Sequence, residues 1–191
     1  MKQNSGWLTI VNYITPFVGV ISMSKDLTTP RLLLTAVRAE DACPLAEFWR
    51  EQSGRCAADS NKLLNIMLAQ QTAGQGLFWL LRLRREPLLP VIVGICELNK
   101  INRRLSSADA GGALSPAWRG RGLMREALSA VTRYAFSVDV FTELWADIDE
   151  RNQPSLNLFT NAGFARAVRA PNPFAKNNAV SLVLHKEEYV C

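Results

Sequence analysis

The chain has 191 residues, enough for one domain with a sizeable hydrophobic core. With 48% hydrophobic and 20% charged residues it reads as soluble and globular, which excludes an extensively disordered chain. Its net charge of +5 suits a small polyanionic ligand or an acidic partner, and with no long basic run it argues against a nucleic-acid-binding tail.

In chain order, residues 7–21 are apolar but broken by Thr9, Asn12, Thr15 and Pro16. A membrane span needs about 20 apolar residues, so no membrane segment is expected there. No small-residue cleavage site follows, which counts against a secretory signal. Residues 1–22 are therefore expected to be an extension outside the fold, with one domain over 23–191. Residues 31–37 read as a first strand. Residues 40–51 read as a helix with Leu45, Phe48 and Trp49 on one side. Ser60 caps a second helix over 60–72, with Leu63, Leu64, Met67 and Leu68 as its apolar stripe. Strands at 77–84 and 91–98 flank a proline turn at 86–90 and predict a hairpin. A polar loop fills 99–107, and 108–115 is a strand of small residues. A helix follows over 122–137, then a strand over 143–149. Asn152 caps a short helix that carries Leu156 and Phe159 and stops at Gly163. Strands at 164–168 and 180–186 close the chain. Alternating helices and strands, with hairpins at both ends of the sheet, predict an α/β fold with a single mixed sheet.

The four cysteines, Cys43, Cys56, Cys96 and Cys191, form no C-x-x-C pair, and His185 is the single histidine. The chain therefore offers no standard zinc site, and no metal is expected. Idle thiols suit a reducing, cytoplasmic location. His185 stands in an apolar strand, where a structural role is the commoner outcome than a Cys–His nucleophilic pair.

The most informative stretch is residues 114–128. A small-residue strand enters a short basic glycine loop, and the loop opens directly into an amphipathic helix. The first N–H groups of a helix lack internal partners and carry partial positive charge. Such a loop therefore suits phosphate. Gly120 and Gly122 clear side chains from the backbone, while Arg119, Arg121 and Arg125 add charge. The plain alternative is a basic turn without a ligand. Arg125 stands where a dinucleotide fingerprint needs its third glycine, and no Gly-Lys-Ser/Thr closes the loop, so a P-loop is excluded.

Three segments together resemble the GNAT acyltransferase superfamily, and within it the RimJ/RimL-type N-acetyltransferases. They are Thr29-Pro-Arg-Leu-Leu-Leu with the following Glu40-Asp41, then Trp118-Arg-Gly-Arg-Gly-Leu-Met-Arg-Glu-Ala-Leu128, then Asn152-Gln-Pro-Ser-Leu-Asn-Leu-Phe-Thr-Asn-Ala-Gly-Phe164. The likeness spans residues 29–186 and implies the GNAT fold, with a single, mostly antiparallel mixed sheet flanked by helices. It implies acetyl-CoA as donor and an amine as acceptor, foremost the α-amine of a protein such as a ribosomal protein. A small-molecule acceptor (an aminoglycoside or a polyamine) and a non-catalytic acetyl-CoA-binding module are the alternatives. Monomer and homodimer both stay open.

Carried onto this chain, the resemblance gives Ala113, Leu114 and Ser115 backbone bonds to the pantetheine. Arg119, Gly120, Arg121, Gly122, Leu123 and Met124 would wrap the diphosphate. Asn152 would bond the pantetheine arm, with Ser155 near the sulfur. Many relatives carry a tyrosine acid at the position of Phe159, which makes Ser155 the candidate acid here; its plain alternative is a helix-start residue bonding its own backbone. Asp109 and Glu97 are candidate bases, or solvated strand residues. Met124 stands where many GNAT loops carry a small residue, and it fits if its side chain packs inward.

Overall fold

A computed structural model describes residues 25–53, 56–85, 91–138, 141–168 and 178–189. The proposed extension at 1–22, the 86–90 turn and Cys191 lie outside the described residues. The strands are β1 (Leu27–Thr28), β2 (Leu32–Ala36), β3 (Leu77–Leu83), β4 (Gly94–Asn102), β5 (Ser107–Leu114), β6 (Glu143–Asp149), β7 (Ala165–Arg166) and β8 (Ala179–His185). The helices are α1 (Ala42–Ser53), α2 (Ala57–Thr72), α3 (Leu123–Ser137) and α4 (Gln153–Thr160). All strands join one sheet in the order β1-β2-β3-β4-β5-β6-β8-β7. Every neighbouring pair is antiparallel except β5 and β6. That exception follows from the connection, because α3 is a crossover helix that returns the chain in the same direction.

Helices cover both faces. Alternation along each strand separates two cores. On one face Trp79, Cys96, Leu98, Ala108, Ala110, Leu144 and Ala146 pack with Leu128 and Val131 of α3 and with Leu156 and Phe159 of α4. On the other, Phe78, Leu80 and Ile95 pack with Leu45 and Phe48 of α1 and with Leu64 and Met67 of α2.

Several boundaries differ from the sequence reading, each for a local reason. Ser60 is not a cap: α2 starts after Cys56, and the buried Ser60 bonds back to the Cys56 carbonyl from inside the first turn. A single 3-10 turn at Ala39–Asp41 precedes α1, closed by Asp41 accepting from the Arg38 N–H. The strand expected to end at 98 runs on to Asn102, so β4 absorbs half of the expected 99–107 loop. The short strand β1 carries no sequence signal of its own and pairs β2 across Thr28 and Leu33. No helix among the described residues is long and apolar enough to cross a membrane.

Candidate active site

β5 and β6 pair only at their start. Ser107, Ala108 and Asp109 face Glu143, Leu144 and Trp145, and beyond that register the strands part. The rest of β5, to Leu114, stays paired with β4, while β6 stays paired with β8 to Asp149. Parallel strands that diverge at their C-terminal ends leave a wedge, and each leads into a helix. α3 starts after β5 and α4 after β6, so two helix N-termini stand at the wedge mouth.

Peptide groups alternate sides along a strand. The Ser115 N–H donates to the Val93 carbonyl at 2.9 Å, which turns the peptide groups of Ser115, Ala113 and Gly111 toward β4. Those of Leu114 and Gly112 face the wedge instead. Of the three residues expected there, one therefore does, and Gly112, which sequence reasoning missed, joins it. The Leu114 carbonyl already accepts from Gln52 Nε2 at 2.7 Å and Arg119 Nε at 3.1 Å. The buried Ser115 hydroxyl donates to Glu51 Oε2 at 2.8 Å. The end of α1 is thus tied to the end of β5.

The loop is open. Gly120 and Gly122 take left-handed φ values of +72° and +74°, where glycine is favoured. A Cβ at Gly120 would meet nothing within 4 Å. The N–H groups of Gly120, Arg121, Gly122, Leu123 and Met124 find no acceptor among the described residues. A run of unpaired amides at a helix start, on positive-φ glycines, forms a cradle with the donors to hold an anion. The arginines divide their work. Arg119 folds back to Leu114 and Gln52, away from the cradle. Arg121 lies 4.8 Å over the Trp118 ring, and Arg125 is exposed. Met124 packs inward against the core, over Gly112, whose missing side chain leaves the room: a Cβ there would lie 3.1 Å from Met124 Cε.

Across the wedge, Asn152 caps α4, its Oδ1 accepting from the Ser155 N–H at 3.3 Å. The Ser155 hydroxyl itself has no partner among the described residues. One turn on, Phe159 is buried and stacks edge-on against Phe164 with centroids 5.0 Å apart, which makes it a core residue.

Glu97 and Asp109 lie on the same sheet face as α1 and α2, in registers Glu97↔Gly111 and Asn99↔Asp109. Their surroundings differ. Asp109, where the strands are still paired, binds Lys100 Nζ at 2.7 Å. Glu97 stands level with the opened part of β5 and accepts from the neutral Asn99 amide at 2.8 Å. Burial pushes its carboxyl above the ordinary range, and the Asn99 bond and Lys100 charge only partly oppose this. A Cβ at Gly111 would lie 3.0 Å from Glu97 Oε1, so the glycine opposite leaves the carboxylate its space. Cys96, beside it in sequence, points into the other core, and burial drives its thiol up to about 12, so it is no nucleophile. His185 approaches Glu143 at 3.6 Å at the far end of β6.

The comparisons with known proteins agree with this architecture. The chain is 24% identical over 103 residues to the spermidine N(1)-acetyltransferase of Escherichia coli K12, and spans about half of that protein (52% of this chain, 54% of the relative). Its fold superposes on the ribosomal-protein-S5-alanine acetyltransferase of Vibrio fischeri with a TM-score of 0.71, at 15% identity, covering 88% of this chain and 100% of that one. The Mycobacterium smegmatis RimJ structure, determined with a CoA disulfide, gives a TM-score of 0.70 at 18% identity, covering 86% and 87%. The signature of the acetyltransferase (GNAT) domain matches residues 31–165, which hold the wedge, the cradle and α4 together, and the chain belongs to that family.

Proposed function

We propose that this chain is an acetyl-CoA-dependent N-acetyltransferase, with the pantetheine arm in the β5–β6 wedge and the amine arriving over the α1/α2 face. The observation that carries this reading is the coincidence at one mouth of parted parallel strands, an amide-lined cradle and a capped helix start. The residues fit the donor. The loop amides would hold its diphosphate with Arg121 and Arg125 alongside, and the Gly112 peptide groups and the Leu114 N–H would bond its arm. Asn152 would meet that arm from the other strand. Bound there, the thioester supplies the acetyl carbonyl.

The chemistry left to the chain is short. The amine nitrogen forms the new C–N bond as the C–S bond breaks. Glu97 takes the amine proton, directly or through water, because it combines burial, a raised pKa and a place beside the opened strand. Asp109, already paired with Lys100, is the less available carboxylate. Ser155, whose hydroxyl is uncommitted, would return a proton to the departing thiolate.

For the acceptor, the first reading is a protein N-terminal α-amine. Asp109 and Asp149 on this face carry their own cations, Lys100 and Arg151, so Glu97 meets one amine rather than a strongly anionic trough meeting several. A polyamine is the second reading, favoured by Asp147 and Asp149, which the β6 register places on the same face as Asp109. Thiol release from acetyl-CoA is to be measured with peptides bearing free or blocked N-termini, with spermidine and with an aminoglycoside. Release with free-ended peptides alone supports the first reading, and release with spermidine alone supports the second. Tight CoA binding with no release from any acceptor would point to a non-catalytic binding module.

A further inference from the structure

The orientation of one peptide in the cradle is set from outside the loop. Arg31, in the turn between β1 and β2, donates from Nη1 to the Arg121 carbonyl at 2.8 Å. Its guanidinium is held in turn, because Nε donates to Glu126 Oε2 at 2.6 Å and the Arg31 backbone N–H to Oε1 at 2.8 Å. The Thr29 hydroxyl donates to the same Oε1 at 2.5 Å and accepts from the Leu32 N–H at 2.9 Å. Burial alone would raise the Glu126 carboxyl, but these bonds and the Arg31 charge outweigh it and hold it below the ordinary range. The carboxylate stays ionised and grips the turn.

A trans peptide is planar, with its C=O and N–H pointing in opposite directions. A carbonyl pinned toward Arg31 therefore sends the Gly122 N–H the other way. That N–H has no acceptor among the described residues. Gly122, on one side of this peptide, does not by itself choose the orientation, since glycine tolerates either peptide face. The flipped peptide would present a carbonyl oxygen where an anion needs a donor. The β1–β2 turn, from a part of the chain far from the loop in sequence, decides which it is.

We infer that Arg31, oriented by Glu126 and Thr29, is a positioning residue that fixes the Arg121–Gly122 peptide with its N–H turned toward the bound diphosphate. The inference rests on the proposed use of the loop for acetyl-CoA. It separates from a general folding role by donor chemistry, because S-acetylpantetheine carries the thioester without a diphosphate.

The test compares wild type, Arg31→Ala, Arg31→Lys and Glu126→Gln, each checked for folding by thermal melting, with both donors and with CoA titrated calorimetrically. Arg31→Ala should raise KM for acetyl-CoA by about 10- to 100-fold, the worth of a hydrogen bond to a charged group, while kcat at saturation moves far less. Its loss in kcat/KM should be roughly tenfold larger with acetyl-CoA than with S-acetylpantetheine. Arg31→Lys should recover only part, since a single ammonium cannot reach both Glu126 and the Arg121 carbonyl in fork geometry. Glu126→Gln keeps the shape and should fall between. Equal losses with the two donors, or a CoA affinity unchanged in both Arg31→Ala and Glu126→Gln, would overturn the latch alone. A wild-type protein that fails to bind CoA would overturn the functional reading and the latch with it.

Discussion

The two sides of the wedge are built from different materials. The proposed donor side is nearly all backbone: unpaired amides, two left-handed glycines and strand peptide groups, drawn from the contiguous stretch Ser107–Met124. The proposed acceptor side is side chains gathered from separate strands, with Glu97 and Asn99 on β4, Asp109 on β5 and Asp147 on β6. A backbone site depends on where the chain bends, whereas a side-chain site depends on which residues meet. The donor side should therefore respond to changes that alter conformation or space, and the acceptor side to changes that alter charge.

The largest effect expected of this contrast lies on the acceptor side. Glu97→Gln should lower kcat by about 10²- to 10⁴-fold, the range for a general base, with CoA affinity little changed. A loss in KM for acetyl-CoA instead would move Glu97 to the donor side. The same residue gives a sign to the pH dependence. Because burial raises its pKa in the fold, kcat/KM should drop on the acid side at a midpoint above the ordinary carboxylate value of 4.5. A raised folded pKa also means that Glu97 favours folding while protonated, and that this contribution is lost as pH rises through the folded pKa. Glu97→Gln should accordingly melt higher than wild type at neutral pH, and the gap should close below the unfolded pKa. An enzyme that is slower and more stable at once would mark Glu97 as a functional strain on the fold.

Next in size, Gly112→Val tests space on the donor side. A Cβ there would stand 2.6 Å from the Ile95 carbonyl oxygen and 3.1 Å from Met124 Cε, so the strand must shift. Overpacking of this kind costs about 1–3 kcal/mol, and a melting temperature equal to wild type would show that the wedge edge is looser than drawn. Gly122→Ala tests conformation instead. Its side chain would have room, with Arg31 Nη2 3.5 Å away, so the cost lies in the +74° φ. About 1–2 kcal/mol is expected from that backbone strain, read as roughly a tenfold rise in the CoA dissociation constant if the loop relaxes to escape it. The smallest effect belongs to Asn152→Ala, which removes the α4 cap for about 1 kcal/mol. Asn152→Asp should restore the melting temperature, since aspartate caps as well.

Legibility followed the same division. The 114–128 stretch announced the cradle because glycines, arginines and an amphipathic helix start are local facts, and the α3 boundary at Leu123 lies one residue from the expected one. The sequence also placed Glu97 and Asp109 on neighbouring strands, but not the Lys100 pairing that separates their roles. Lys100 reaches Asp109 because β4 runs past the expected end at 98, with Lys100 itself at a positive φ of 48°. Arg31 was visible as part of an opening strand and Glu126 only as a member of the helix after the loop. Nothing in either position announced the other, since the two lie 95 residues apart in sequence. Gln52 reaching the Leu114 carbonyl was equally silent.

Apart from β1, sequence alone determined the order of the strands and long helices, the glycine loop and the core stripes, because hydrophobic period, glycine placement and helix-start chemistry act over a few neighbouring residues. Tertiary structure decided where β5 and β6 part, which peptide groups face the wedge, which arginine turns away and which carboxylate, Asp109 or Glu97, pairs with Lys100. Those outcomes depend on register and on side chains meeting across the sheet, and no local pattern of residues encodes such meetings.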